Sequence, residues 1–239
     1  GKSTATGHLV FKCGAVDPQI LAHFEARAAA AVHSTTLAWL TDQLQAARDA
    51  GLPLDMHPDA ARFATSKYAV QVIDVPGHRD FVKNMVTGAS RADLAILVVS
   101  AVEHEFAHGM GTTTTSSATA PSSQSSALTG GGETVEHAML AHTLGVRQII
   151  VAVNKMDAVG YSHDRYASVV AETSAMLKRL GYNPKTVSYV PISGRTGDGL
   201  VEASADPRMA WFTGWRKDGK AGEKTGMPHF SLIFRFGDF

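Results

Sequence analysis

Two short, nearly continuous apolar runs, Leu94–Val99 and Gln148–Val153, constrain this chain more than any other feature. Runs of this kind read as strands buried on both faces, which is the habit of a parallel sheet covered by helices. Weaker strand patterns occupy Ala69–Val75, which stops at Pro76-Gly77, and Thr186–Ile192. Helical patterns fall between the strands at Arg79–Gly88, Thr134–Leu144 and Asp164–Leu180. Strands that alternate with helices are joined by right-handed crossovers, so an α/β fold with a mostly parallel sheet flanked by helices is predicted. Three more helical stretches open the chain, Ser3–Lys12, Pro18–Val32 and Thr36–Ala50, punctuated by Gly14 and Gly51.

Two segments break this rhythm. Gly109–Gly132 consists almost wholly of Gly, Ser, Thr, Ala and Pro. Such a segment cannot bury enough apolar surface to offset its ordering entropy, so a flexible insert is expected there. After Gly219 the chain changes character again, with Phe230, Leu232, Phe234 and Phe236 alternating with Ser231, Ile233 and Arg235. This divergent tail, residues 219–239, has the pattern of one imperfectly amphipathic strand.

Charge excludes some functions. The 22 basic and 22 acidic residues cancel, so nothing global demands nucleic acid or an anionic membrane as partner. The single cysteine, Cys13, cannot form an internal disulfide and fits a reducing compartment. No apolar run is long enough for a spanning helix and no signal peptide precedes the first helix, so a cytoplasmic location without membrane attachment is expected. The eleven histidines show no metal-ligand spacing; His104 and His108 stand four apart beside the insert.

Four motifs carry chemistry. Gly1-Lys2-Ser3-Thr4 matches the last part of a phosphate-binding loop, in which the Lys contacts the β- and γ-phosphates and the Ser hydroxyl binds Mg²⁺ at a helix N-terminus. Alone it is indistinguishable from capping chemistry. Asp74-Val75-Pro76-Gly77-His78 ends a strand, with a carboxylate to hold Mg²⁺ through water, a Gly77 amide to meet a γ-phosphate, and His78 where a water-orienting side chain is needed. Asn154-Lys155-Met156-Asp157 ends the next apolar strand. A carboxylate at Asp157 accepts from N1–H and the exocyclic amine of guanine, which adenine does not offer, so an unpaired carboxylate would reject adenine. Asn154 would brace the loops and the Lys155 stem would cover the base. Ser193-Gly194-Arg195 follows the last strand, with amides suited to the guanine carbonyl. The order of the motifs, each at the carboxyl end of a strand or the start of a helix, is what open α/β sheets use to bind ligands.

These residues resemble a family. GKSTATGHLVFKCG from Gly1, SKYAVQVIDVPGHRDFVKNMVTGASRAD from Ser66, EHAMLAHTLGVRQIIVAVNKMD from Glu136 and LGYNPKTVSYVPISG from Leu180 are similar to the first, GTP-binding domain of eukaryotic elongation factor 1-alpha, a translational GTPase. Trp211-Phe212 and Gly214-Trp215 resemble the end of that domain. The resemblance implies a P-loop GTPase fold over residues 1–218, interrupted by the insert at about 109–132. It also implies GTP/GDP and Mg²⁺ as ligands, with Ser3 and Asp74 at the metal and His78 as the catalytic residue. The ribosome, aminoacyl-tRNA and a guanine-nucleotide exchange factor are its implied partners.

The resemblance also shows departures. The family's opening strand, the first half of its phosphate loop, its last nucleotide-domain helix and two β-barrels have no counterpart in the sequence, so a truncated domain is expected. The cradle amides before the Gly1 motif are worth roughly 1–3 kcal/mol each, so affinity towards the millimolar range is expected. Pro53 stands where the family has a threonine whose hydroxyl binds Mg²⁺; proline has neither hydroxyl nor N–H, so weak switching is expected. Ala50 replaces a family arginine, and Arg195 a family tryptophan. The alternatives are a catalytically inactive paralogue acting as a binding module and a non-functional gene remnant.

Overall fold

A computed structural model describes residues 1–13, 62–64, 68–75, 82–112, 132–204, 206–219 and 222–225. The expected helices Pro18–Val32 and Thr36–Ala50, the departures at Ala50 and Pro53, the insert's interior 113–131 and the apolar tail 226–239 lie outside the described residues. The chain divides into two compact units, Gly1–Asp74 with Pro191–Trp215 and Thr225–Phe239, and Val75–Val190 with Arg216–Lys224.

The second unit holds the parallel sheet. β3 (Leu94–Ser100) pairs with β4 (Gln148–Asn154) in parallel, from Leu94 opposite Gln148 to Ser100 opposite Asn154. β5 (Ser188–Pro191) completes the order β3-β4-β5. β4 is the middle strand and is buried from Ile149 to Asn154, with Val151, Ala152 and Val153 fully enclosed. β3 departs from expectation: its sequence reads as buried on both faces, yet only Val99 is buried and Ile96 is exposed. Among the described residues β3 is an outer strand, so one of its edges lacks the flanking strand that completes burial.

Helices connect the strands. α2 (Val82–Ala89) precedes β3; α3 (Glu103–Met110) and α4 (Glu133–Thr143) follow it; α5 (His163–Arg179) joins β4 to β5. α5 forms because its apolar positions recur on one face, burying Val169, Thr173, Met176 and Leu177. The Ser162 hydroxyl caps it by accepting from the Arg165 N–H at 3.3 Å, while Lys178 and Arg179 face the negative end of its dipole. Gly181, at φ 99°, ends it with paired hydrogen bonds from Tyr182 N–H to Leu177 O at 3.0 Å and from Gly181 N–H to Lys178 O at 3.2 Å. α4 ends the same way at Gly145. The two residues just past these ends then meet: the Tyr182 hydroxyl donates to Val146 O at 3.0 Å, and the His142 ring packs edge-on against Tyr182.

The first unit contains α1 (Lys2–Lys12), whose buried face is Ala5, Gly7, Leu9 and Val10. β1 (Arg62–Ala64) pairs antiparallel with β2 (Ala69–Gln71). The strand expected over Ala69–Val75 therefore stops at Gln71, and 72–75 is irregular. Asp206 caps a short 3₁₀ turn at Pro207–Met209 by accepting from the Arg208 N–H at 2.9 Å. Trp215 is buried, as a packing residue is. In the second unit, β6 (Arg216–Gly219) and β7 (Gly222–Thr225, whose last residue falls in the first unit) pair as a further two-stranded sheet.

α3, β1, β6 and β7 were not expected from sequence. Gly109 and Met110, assigned to the flexible insert, close α3, and Gly132 is the N-cap of α4. Glu103 and Glu105 in the first turn and Gly111 at the end are the helix signals that the surrounding Gly/Ser/Thr composition obscured.

Candidate functional site

In the first unit α1 begins at Gly1, so Lys2, Ser3 and Thr4 form its opening turn. Lys2 is exposed, and Ser3 and Thr4 are half-buried. The loop Ser193–Asp198 packs against this helix. Gly194 is buried so closely against it that a Cβ there would lie 3.1–3.2 Å from Ala5 Cβ, Cα and N. The His8 ring nitrogen Nδ1 hydrogen-bonds Gly194 O at 2.9 Å, and Lys12 Nζ donates to Gly197 O at 3.1 Å. Ser193, fully buried, holds the turn: its hydroxyl accepts from the Thr196 N–H at 3.2 Å and its carbonyl from the Gly197 N–H at 2.8 Å. The Arg195 side chain is exposed. The structure thus brings Gly1-Lys2-Ser3-Thr4 and Ser193-Gly194-Arg195 together as neighbouring segments. Asp74 and Val75 follow β2 as half-buried residues; Pro76, Gly77 and His78 lie outside the described residues.

Burial pushes the Cys13 thiol up to about 11, so it stays protonated at neutral pH and is a poor nucleophile. No group of three His, Cys, Asp or Glu side chains among the described residues is arranged to hold a metal, and no described helix is long and apolar enough to cross a membrane.

In the second unit the carboxyl ends of the parallel strands β3 and β4 form one edge. Asn154 is buried; its side-chain oxygen accepts from the Lys155 N–H at 2.7 Å, and its carbonyl accepts from the Ala101 N–H at 2.8 Å. Lys155 sits in the left-handed region, at φ 65° and ψ 32°. For a non-glycine residue this costs roughly 1–2 kcal/mol and persists where surrounding structure over-determines it. The turn then enters a 3₁₀ helix, Met156–Val159, with Met156 fully buried as its anchor and Asp157 half-buried on its first turn.

Sequence reasoning missed the partner of this loop. Lys155 Nζ donates to both carboxylate oxygens of Glu105 on α3, at 2.6 and 2.7 Å. The Ser100 hydroxyl donates to Glu105 Oε2 at 2.7 Å and accepts from the Val102 N–H at 3.2 Å. Lys155, then Ser100, hold the Glu105 carboxyl below its ordinary range. Arg165 supports the same turn: its Nε donates to Ala101 O at 2.7 Å and its guanidinium lies 5.4 Å from the Phe106 ring centre. Glu105 lies 50 residues from Lys155, and no periodicity links positions on two strand-to-helix turns.

The Elongation factor Tu GTP binding domain model matches residues 1–206 of this chain. Elongation factor 1-alpha of Aspergillus oryzae is 47% identical over 234 residues, 98% of this chain and 46% of that protein. Elongation factor 1-alpha of Meyerozyma guilliermondii matches to the same extent. The chain therefore spans about half the length of these relatives. A crystal structure of sup35 complexed with GDP is similar at a TM-score of 0.56 and 30% identity, over 90% of this chain and 39% of that one. Sequence match, mixed α/β architecture and parallel sheet agree, and the chain belongs to the elongation factor Tu GTP-binding domain family of translational GTPases.

Proposed function

We propose that this chain binds GTP and GDP and hydrolyses GTP, as the nucleotide domain of a translation elongation factor. The observation that carries this reading is the turn after β4. There Asn154 is buried and bonded to the Lys155 backbone, Lys155 is held in a left-handed conformation, and Met156 anchors the short helix that carries Asp157. A carboxylate on so constrained a turn suits a purine that offers two adjacent donors, and guanine offers them whereas adenine does not.

The other roles follow from the family. Gly1, Lys2, Ser3 and Thr4 would take the phosphates, Val75, Pro76 and Gly77 would border the γ-phosphate, Ser193, Gly194 and Arg195 would meet the base carbonyl, and His78 would orient the attacking water. Ser3 and Asp74 supply one hydroxyl and one carboxylate, an all-oxygen set that fits Mg²⁺, a hard cation that keeps several of its waters. When bound, Mg²⁺ neutralises phosphate charge. Aminoacyl-tRNA, the ribosome and a guanine-nucleotide exchange factor are the proposed partners, in the cytoplasm.

The test titrates labelled GDP, GTP and ADP against the purified chain up to millimolar concentration and follows phosphate release from GTP with Mg²⁺. Guanine-selective binding with turnover is expected. Binding without turnover would make the chain a nucleotide-binding module. The absence of binding at millimolar guanine nucleotide, or equal affinity for ADP, would overturn the proposal.

A further inference from the structure

We propose that Glu105 is a positioning residue that fixes the Lys155 side chain and thereby sets guanine-nucleotide affinity. This inference rests on the nucleotide-binding role proposed above for the Asn154–Asp157 turn.

Lysine carries a flexible four-carbon stem, and ordering that stem when a ligand binds opposes binding. Here both ends of the side chain are restrained beforehand. At the backbone end, Lys155 is in a left-handed conformation with its N–H bonded to the Asn154 side chain at 2.7 Å. At the ammonium end, Nζ is gripped by both Glu105 oxygens at 2.6 and 2.7 Å. Glu105 is itself held, because the Ser100 hydroxyl donates to Oε2 at 2.7 Å and accepts from the Val102 N–H at 3.2 Å. Ser100 closes β3 opposite Asn154, which closes β4, so the relay ties the two strand ends at the sheet edge where α/β folds take ligands.

The pair is poorly placed to act mainly as a stability device. The Lys155 and Glu105 side chains keep 39% and 36% of their surface exposed, and ion pairs that wet contribute little to folding. The same exposure leaves the lysine stem accessible to a planar ligand. Its ammonium is meanwhile neutralised and kept from swinging towards other anions. The effect of Glu105 is therefore to deliver the stem already ordered, which removes part of the entropic cost of binding.

A double-mutant cycle on the full chain tests this, with GDP dissociation constants read by ligand-observed NMR of the guanine H8 proton and folding read by thermal melting. Glu105→Gln is expected to weaken GDP about three- to tenfold, the range that partial loss of one lysine's preordering allows. In a Lys155→Met background, which keeps a stem but no ammonium, the same change is expected to have no further effect. An E105Q affinity equal to wild type overturns the inference. So does an equal loss in both backgrounds, which would mean that Glu105 acts by holding α3. If E105Q does not melt cooperatively, Ser100→Ala, which frees the carboxylate from its second anchor, carries the same prediction, and an S100A affinity equal to wild type overturns it. Failure of the wild-type chain to bind GDP refutes the nucleotide reading itself. Wild-type binding with an unchanged E105Q refutes only the role of Glu105.

Discussion

Replacing Gly132 with alanine should destabilise the protein through sterics alone, and the structure allows the cost to be worked out. Gly132 has φ −78° and ψ 179°, extended backbone that any residue adopts, so no strain of its own arises. A Cβ there would lie 2.3 Å from Gly109 O, 2.5 Å from Gly111 N and 2.5 Å from His108 O. All three are backbone atoms at the end of α3, so relief requires α3 and α4 to separate. Overpacking of this kind costs roughly 1–3 kcal/mol, and backbone contacts this short put it at the upper end. The reduced freedom of the unfolded chain returns about 0.5 kcal/mol. The net loss of about 2–2.5 kcal/mol corresponds to a fall of about 5–10 °C in melting temperature for a protein of this size.

Gly109→Ala is the internal comparison. Its Cβ would lie 2.6 Å from Thr134 Oγ1, a side-chain atom that a switch of Thr134 to the other helical χ1 rotamer moves away, and alanine within α3 gains roughly 1 kcal/mol of helix propensity. Its melting temperature should stay within about 3 °C of wild type. Melts of the three proteins by circular dichroism decide the matter. A Gly132→Ala protein that melts with wild type, or a Gly109→Ala protein that falls as far, refutes the reasoning.

Other outcomes follow from single residues. Tyr182→Phe removes the buried donor to Val146 O at 3.0 Å and leaves that carbonyl unsatisfied, so denaturant unfolding should report a loss of about 1 kcal/mol. The Glu105 carboxyl is held below its ordinary 4.5 by Lys155. Its contribution is therefore fully present above that unfolded value and lost as pH falls through the lower folded one. The stability difference between wild type and Glu105→Gln, small for a pair this exposed, should shrink only at the acid end when followed by melting from pH 7 to pH 3. On the proposed GTPase reading, Pro53→Thr introduces a hydroxyl and an N–H where the family resemblance implies a Mg²⁺-binding threonine, and phosphate-release assays should show faster GTP turnover than wild type.

Much of this protein is legible without coordinates, because apolar periodicity and helix punctuation are local. The runs at Leu94–Val99 and Gln148–Val153 specify parallel strands, and Asp164–Leu180 carries its own cap, stripe and glycine stop, so β3, β4 and α5 appear within a residue or so of their expected ends. The chemistry of Asn154–Asp157 is local too, since a carboxylate and an amide at fixed spacing on one turn suffice to suggest guanine. What tertiary structure alone decides is which side chain stands opposite another. Burial of β3 depends on what flanks it, so Ile96 is exposed although its run is apolar. α3 borders a segment whose glycines and serines average to a loop, although Gly111 punctuates its end locally; what tertiary structure adds is the close approach of Gly132 to that end. The grip of Glu105 on Lys155 exists only because parallel pairing sets Ser100 beside Asn154, bringing two strand-to-helix turns within hydrogen-bonding distance across a long separation in sequence.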